Sequence, residues 1–268
     1  MRFRPCIDLH QGKVKQIVGG TLDDEDARRL ETNFEAEKPA EWYARLYRQD
    51  QLTGGHIIQL GRGNQQAAEA ALAAWPLGMQ VGGGIALDNA EGWLDAGASA
   101  IIVTSWVFHD GKIDEGRLSR LSKRVGPDRL VLDLSCRRKG EDYFVVTNRW
   151  QTFTEERVTV RLLDHLSQYC TEYLVHAVDV EGRCQGIETP LVDLLGNWAQ
   201  MPITYAGGIH SMEDINLIRQ LGGGGIDFTV GSALDIFGGK GLRYADLVRA
   251  FGNPQSEVAG LRGMDPNE

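Results

Sequence analysis

Two aspartates close short apolar runs in the sequence and stand in matching surroundings. Asp8 lies in "CIDL" and Asp133 lies in "VLDL", 125 residues later (133 − 8). Two carboxylates that flank one substrate can divide the work of general base and general acid. The pair therefore predicts proton transfer as the chemistry of this chain.

Two glycine clusters repeat at nearly the same interval. "VGGGI" contains Gly83 and Gly84, and "AGGI" contains Gly207 and Gly208, 124 residues after the first pair (207 − 83). A glycine turn between a strand and a helix presents backbone N–H groups that can hold a phosphate. The two clusters predict two phosphate sites.

A third pair of features repeats as small turns that carry hydroxyl groups. "VTSWVF" holds Thr104 and Ser105, and "TVGSAL" holds Gly231 and Ser232, with 127 residues between the serines (232 − 105). Three features at one interval indicate an internal duplication. The predicted substrate is a small molecule with a phosphate at each end and a reacting centre between them.

Eight apolar runs predict strands, and eight helix-like stretches alternate with them. The predicted strands span residues 4–9, 56–60, 78–83, 100–104, 129–134, 173–178, 202–206 and 226–230. This alternation predicts an α/β protein, a (β/α)8 TIM barrel built of two similar half-barrels, with its site at the carboxyl ends of the strands. A doubly wound sheet is the rival fold, but its G-x-G-x-x-G turn does not follow the first strand.

Three segments fall outside the alternation. Residues 21–39 are charged and predict a long mobile loop that is nearly strandless, whereas residues 140–155 predict a hairpin after the fifth strand. The catalytic barrel is assigned to residues 1–252 and a flexible tail to residues 253–268.

Composition narrows the class of protein. The 268 residues carry a net charge of −9, with 28 Lys and Arg against 37 Asp and Glu, which disfavours nucleic acid or an anionic membrane as partner. No apolar run approaches the roughly 20 residues of a membrane-spanning helix, and the start lacks a secretory signal, so a cytoplasmic location is expected. The four cysteines show no CxxC spacing and the histidines no metal-ligand spacing, so neither a disulfide framework nor a metal is predicted.

Several quoted segments together resemble one known family. They are "PCIDLHQGKVKQIVGG", "IIQLGRGNQQAAEAALAAWPLGMQVGGGI", "VVTNRWQTF", "LVHAVDVEG" and "TVGSALDIFGG". They resemble the ProFAR isomerases of histidine biosynthesis, in the form typical of fungi and plants, from Arg4 to Phe251. The resemblance implies a duplicated half-barrel, an Amadori rearrangement of a phosphoribosylated aminoaldose to its aminoketose, no cofactor and a monomer.

The resemblance also implies roles for individual residues. Asp8 matches the general base that takes the proton from C2 of the ribosylamine, and Asp133 matches the second catalytic carboxylate. Bacterial relatives have a further aspartate in a "DG" step where this chain has Glu181 in "EG", which leaves the general acid open between Asp133 and Glu181. His176 stands where many bacterial members have a threonine, so it is either a contact to sugar hydroxyls or a neutral core histidine.

The remaining predicted substrate contacts surround these groups. Trp150 matches a mobile tryptophan that stacks on the aromatic base of the substrate. Arg149 beside it, Arg62 in "LGRG" and Gly20 in "VGG" complete the predicted substrate-binding set.

Two other functions remain open at this stage. The sister cyclase of the same pathway shares the duplication and the first motif but takes ammonia from a glutaminase partner, and the "RW" hairpin and "VTSWVF" turn favour the isomerase. A non-catalytic phosphosugar-binding protein is disfavoured because both Asp8 and Asp133 are present. Use of a tryptophan-pathway substrate stays open.

Overall fold

The computed structural model describes residues 1–19, 21 and 31–252, and contains eight parallel strands alternating with eight helices. Gly20, residues 22–30 of the predicted loop and the predicted tail lie outside the described residues. The parallel strands are β1 (Cys6–His10), β4 (Gly55–Gln59), β5 (Met79–Gly82), β6 (Ile101–Val103), β9 (Leu130–Asp133), β13 (Glu172–His176), β14 (Ile203–Ala206) and β15 (Ile226–Phe228). The helices are α1 (Ala40–Gln49), α2 (Gln65–Ala74), α3 (Ala90–Asp95), α4 (Glu115–Val125), α5 (Val160–Leu166), α6 (Thr189–Trp198), α7 (Met212–Leu221) and α8 (Tyr244–Phe251).

The eight strands pair with one another in chain order, each parallel to the next. A parallel bridge also joins Phe3 to Phe228, and the amide of Arg4 donates to the Phe228 carbonyl at 2.8 Å. The chain just before the first strand therefore contacts the last strand, which shows how strongly the sheet curls. The predicted α/β class and the alternation of parallel strands with helices are confirmed.

The segment after β1 forms two further strands, which the sequence did not predict. They are β2 (Lys13–Ile17), antiparallel to β1, and β3 (Thr32–Glu35), antiparallel to β2, and they extend the main sheet to ten strands. The prediction of a nearly strandless loop over residues 21–39 is wrong for residues 32–35, which form β3. Its four residues are mostly polar, so their pairing depends on a neighbouring strand and not on an apolar pattern.

The predicted hairpin after the fifth parallel strand is confirmed. It consists of β11 (Asp142–Thr147) and β12 (Thr152–Arg157), joined antiparallel, with β10 (Cys136–Lys139) as a third strand. Two short strands, β7 (Phe108–His109) and β8 (Lys112–Ile113), form a separate small hairpin. Both hairpins follow carboxyl ends of parallel strands, on the side where a site is expected.

The pleat of the strands aligns polar residues above a small apolar floor. Ile102, Val131 and Leu174 belong to one buried cluster on the inner face of the curled sheet. Successive side chains alternate between the two faces of a strand. Thr104, Asp133 and His176, each two residues further along the same strand or its end, therefore stand on that inner face, above the floor.

Charged groups at the opposite end of the inner face pair with one another. Arg4 donates through Nε to Asp227 at 2.8 Å, and Glu172 accepts hydrogen bonds from Thr204 at 2.7 Å and from Gln80 at 2.8 Å. Buried charges are tolerated when they are paired and hydrogen-bonded. This network closes the inner face below the apolar floor.

The helices cover the outer face of the sheet with apolar stripes. In α4, Leu118, Leu121 and Val125 are buried at the three- and four-residue spacing of one helical face, and Asp114 caps the amino end by accepting from the Arg117 amide. Among the described residues, no helix combines the length and the apolar character needed to cross a membrane.

Candidate active site

The carboxyl ends of the parallel strands open into a cavity of about 630 Å³. A much smaller cavity adjoins it, and the two share Asp8, Gln16, His176 and Glu181 as lining residues. The other predicted residues of the larger cavity are Arg62, Gly83, Gly84, Thr104, Ser105, Asp133, Arg149 and Trp150. Those of the smaller cavity are Gly207, Gly208, Gly231 and Ser232. The structure thus brings the two predicted phosphate sites to opposite sides of three titratable groups.

Asp8, in the middle of β1, lines both cavities. Its Oδ2 accepts a hydrogen bond from Nε2 of Gln16 at 3.0 Å. Burial and then the charge of Glu181 raise the pKa of Asp8 from 3.8 to about 6, against the opposing charge of His176. A carboxylate with this pKa is mostly ionised at neutral pH and is basic enough to accept a proton from carbon.

His176 and Glu181 form an ion pair next to Asp8. Nε2 of His176 lies 2.9 Å from Oε2 of Glu181, and both side chains are 15% exposed. Burial, the largest single influence, lowers the pKa of His176, but Glu181, followed by Asp133 and Asp8, raises it above the ordinary value. The ion pair therefore favours the charged imidazolium, which supports a role in the site for His176 over that of a neutral core histidine.

Asp133, at the end of β9, is held by three donors. Its Oδ1 accepts from the amide and the hydroxyl of Ser135, both at 2.7 Å, and its Oδ2 accepts from the Thr104 hydroxyl at 2.8 Å. The amide of Ser135 can only donate, whereas the two hydroxyl groups can also accept. The arrangement suits a carboxylate of fixed orientation.

Trp150 lies at the tip of the β11–β12 hairpin and covers the ion pair. Its ring centroid is 5.1 Å from that of His176, and its indole N–H donates to the Ser135 hydroxyl at 3.1 Å. Asn148, Arg149 and Trp150 have φ angles of 49°, 56° and 69°, a left-handed run that costs each residue about 1 kcal/mol or more. Strain of this kind persists where surrounding contacts hold the segment, and here those contacts are site residues.

Two arginines line the larger cavity. Arg62 follows β4 and Arg149 precedes Trp150, so they approach from different elements. Guanidinium groups are well suited to phosphate and carboxylate ligands. Gly20, the remaining predicted substrate contact, lies outside the described residues.

The two glycine clusters have the same backbone conformation. Gly83 and Gly84 have φ angles of 91° and 73°, and Gly207 and Gly208 have φ angles of 112° and 76°. A Cβ on Gly83 would lie 2.2 Å from the carbonyl oxygen of Gln59, and one on Gly207 would lie 2.6 Å from the carbonyl oxygen of Ala177, directly after β13. The sequence repeat is thus a repeat of geometry, because both turns need positive φ and close backbone approach.

Alanine substitutions at Gly83 and Gly84 form a matched pair that tests this geometry. Both would hold alanine at positive φ, which costs about 1 to 2 kcal/mol, but only Gly83 also lacks room, since nothing lies within 4 Å of a Cβ on Gly84. Urea unfolding is expected to show a loss of about 1 kcal/mol for Gly84→Ala and at least about 3 kcal/mol for Gly83→Ala. Equal losses would contradict the close approach of the first turn to β4.

The serines of the two hydroxyl turns accept hydrogen bonds from the two insertions. Ser105 accepts from the amide of Asn148 at 3.2 Å, and Ser232 accepts from the side-chain amide of Asn33 at 3.0 Å. Asn148 belongs to the insertion after β9, and Asn33 belongs to the insertion after β1. The equivalent insertions of the two halves thus reach the equivalent serines.

Four residues that contact the predicted site were missed by sequence reasoning: Gln16, Asn33, Ser135 and Asn148. Ser135 lies two residues after Asp133, and a hydroxyl so close to a strand-end carboxylate is a signal that could have found it. Gln16 and Asn33 carry no such signal because their partners are set by strand pairing within the insertion after β1. Asn148 is adjacent to the predicted Arg149 and Trp150.

A family model and several curated relatives match this chain over most of its length. Residues 2–239 match the family model described as "Histidine biosynthesis protein". The chain is 49% identical over 250 residues to the 1-(5-phosphoribosyl)-5-((5-phosphoribosylamino)methylideneamino) imidazole-4-carboxamide isomerase of Neurospora crassa, covering 92% of this chain and 97% of the relative. A chloroplastic isomerase of the same name from Medicago truncatula is 51% identical, covering 97% of this chain and 84% of the relative. That of Saccharomyces cerevisiae is 44% identical, covering 92% and 97%.

Proposed function

The chain belongs to the histidine biosynthesis protein family, and from that premise we propose that it is the isomerase its relatives are named for. It converts the phosphoribosylamino aminoaldose, ProFAR, into the corresponding aminoketose. The relatives at 44 to 51% identity carry this isomerase name over most of their length. The reaction is an intramolecular Amadori rearrangement, which needs acid and base groups from the protein.

One observation supports this function above the others: titratable groups stand between two cradles of the same geometry. Asp8, His176 and Glu181 line both cavities, and each cavity has a glycine pair with matching positive φ angles and a serine. A substrate with a phosphate at each end fits two cradles, and its reacting ribose lies between them. Clamping both ends fixes the reacting carbon against the base.

The proposed architecture is a closed (β/α)8 barrel of two similar half-barrels, which spans residues 1–252 as one catalytic domain. The bridge between Phe3 and Phe228 supports closure, and the repeated glycine geometry supports the duplication. A monomeric state, which the resemblance implies, and a cytoplasmic location are further parts of the proposal; one plant relative is named as chloroplastic.

In the proposed mechanism, an acid first protonates the ribose ring oxygen and the ring opens to an iminium ion. Asp8 then removes the proton from C2, and the electrons of that C–H bond form the C1=C2 double bond of the enaminol, which becomes the ketone when C1 gains a proton and the C2 hydroxyl loses one. The pKa of about 6 leaves Asp8 ionised at neutral pH. The base is therefore ready in the free protein.

We assign the proton source to the Glu181 and His176 pair in preference to Asp133. Each close contact of Asp133 donates to it, which suits a carboxylate that stabilises the cationic intermediate. His176 is favoured in its charged form by Glu181. The pair thus holds the proton that ring opening requires.

The reaction itself separates this function from that of the sister cyclase. Purified protein is expected to convert ProFAR to the aminoketose without ammonia and without a glutaminase, as followed by the absorbance change or by chromatography. Turnover that appears only when both are supplied would overturn the proposal. Tight binding of ProFAR without turnover would instead support a phosphosugar-binding protein.

Trp150 is expected to contribute to substrate affinity by stacking on the aromatic base of ProFAR. Stacking of a base on an aromatic side chain is worth about 1 to 3 kcal/mol, so Trp150→Ala should raise KM about 5- to 100-fold, and Trp150→Phe much less. Phe153, on the same hairpin but outside both cavities, gives a matched control, since Phe153→Ala should leave KM within about 2-fold. Equal effects of the two alanine variants would show that only hairpin stability matters.

A further inference from the structure

Gln16 contacts Asp8 from a strand that the sequence did not predict. It lies in β2, its residue is only 1% exposed, and its Nε2 donates to Oδ2 of Asp8 at 3.0 Å. The same nitrogen lies 3.9 Å from the sulfur of Cys6, two residues before Asp8 on the inner face. The donor side of the Gln16 amide is therefore directed at the proposed base.

The other end of the same amide occupies the space beside Gly231. A Cβ on Gly231 would lie 2.1 Å from Oε1 and 3.1 Å from Cδ of Gln16. Gly231 does not have a left-handed φ, so its backbone would accept a side chain. The absence of a side chain at position 231 is thus explained by Gln16 and not by backbone conformation.

We propose that Gln16 is a positioning residue that fixes the Asp8 carboxylate, and that Gly231 is a glycine because it must leave room for Gln16. The proposal deepens the function proposed above and rests on it for the activity measurements. Gln16 lines both cavities beside Asp8, and the role proposed for it is to hold the base. Its effect on the reaction passes through Asp8.

Gln16 also connects Asp8 to the second cradle through the β2–β3 pair. Gln16 pairs with Phe34 across the two strands, and the adjacent Asn33 donates to the Ser232 hydroxyl. The base and the turn that holds Gly231 and Ser232 are therefore both tied to one small antiparallel unit. Placement of this unit and placement of the base are coupled.

The pKa of Asp8 distinguishes a residue that positions the carboxylate from one that only stabilises the fold. Burial and then the charge of Glu181 raise the pKa of Asp8, whereas His176, Gln16 and Cys6 lower it. A hydrogen bond donated to a carboxylate favours its ionised form. Loss of the Gln16 donor should therefore raise the pKa of Asp8 and move the acidic limb of kcat/KM to higher pH.

Gln16→Met tests the donor because methionine has a similar length and no N–H group. The acidic limb is expected to rise by about 0.5 to 1 pH unit. The pKa of Asp8 is measured directly by carboxyl-carbon NMR titration of the free protein, so this arm does not depend on turnover. An unchanged Asp8 pKa in folded Gln16→Met overturns the proposal, whereas absent ProFAR turnover in the wild type overturns only the proposed function.

Gly231→Ala tests the steric half by pushing Gln16 away from its place. It should raise the Asp8 pKa in the same direction as Gln16→Met. In the double variant Gln16→Ala, Gly231→Ala the added methyl group has room, so the shift should be no larger than that of Gln16→Ala alone. Additive shifts would show that the two positions are independent, and would overturn the steric part.

Lys13→Met is the matched control on the same strand. Lys13 is exposed and pairs with Glu35 of β3, so its loss weakens the antiparallel unit without removing a donor from Asp8. The Asp8 pKa should stay unchanged in this variant. A shift equal to that of Gln16→Met would assign the effect to loosening of the β2–β3 pair and would overturn the direct role of Gln16.

Discussion

Replacing Asp8 with asparagine is expected to lower kcat by about 10² to 10⁴-fold, the range that a positioned general base contributes. An amide cannot accept the proton from C2, but it has nearly the shape of the carboxylate. The amide oxygen can still accept the hydrogen bond from Gln16. Affinity for the product, measured by calorimetry, should therefore stay within about 3-fold.

Asp193→Asn provides the control for this experiment, since Asp193 is exposed on α6 and lines neither cavity. Its kcat should match that of the wild type. Turnover by Asp8→Asn within a factor of ten of the wild type would exclude Asp8 as the base. A loss of product affinity as large as the loss of rate would indicate a binding role instead.

The same substitution should stabilise the fold at neutral pH. Asp8 binds its proton more tightly in the folded protein, with a pKa of about 6 against 3.8. Its contribution to stability is therefore present below about pH 4 and is lost as the pH rises through about 6. Asp8→Asn removes this penalty, so its free energy of unfolding at pH 7 should exceed that of the wild type by about 1 to 3 kcal/mol, and the two should converge near pH 4.

The main elements were predictable because their patterns do not depend on distant partners. Apolar β-branched runs and helical stripes such as Leu118, Leu121 and Val125 follow from local periodicity. The antiparallel unit was not predictable, because "KVKQI" alternates charge with apolar groups in a region that reads as a loop. It becomes β2 only by pairing with β1, where Leu9 faces Val14.

The candidate site was likewise predictable only in part. Spacing alone indicated Asp8, Asp133 and the glycine clusters, since each lies at or just after the carboxyl end of a predicted strand. The contact between His176 and Glu181 was not foreseen, although both were named separately as departures from the bacterial pattern. A short 3-10 turn, Val178–Val180, brings the glutamate back onto the strand end, and no propensity rule specifies that return.

Glu181→Gln is expected to lower kcat by about 10²-fold or more and to move the basic limb of the pH profile to lower pH. Glutamine keeps nearly the same shape beside His176 but removes the charge that most favours the imidazolium ion. The remaining charges facing His176 are Asp133 and Asp8, while burial and the nearby His56 oppose its protonation. Without Glu181, His176 therefore loses its proton at a lower pH, and the acid form of the pair becomes scarce near neutrality.

Asp133→Asn gives the comparison that separates the two candidates for the acid. Its amide oxygen can accept from Ser135, and its amide nitrogen can donate to the Thr104 hydroxyl, which can turn to accept. The side chain should keep its place, and kcat should fall by about 10²-fold or more because the charge that stabilises the cationic intermediate is lost. Since Glu181 remains beside His176, the basic limb should move down less than it does in Glu181→Gln. The opposite order, with the basic limb abolished in Asp133→Asn and unmoved in Glu181→Gln, would assign the proton to Asp133 and leave His176 as a contact to the sugar hydroxyls.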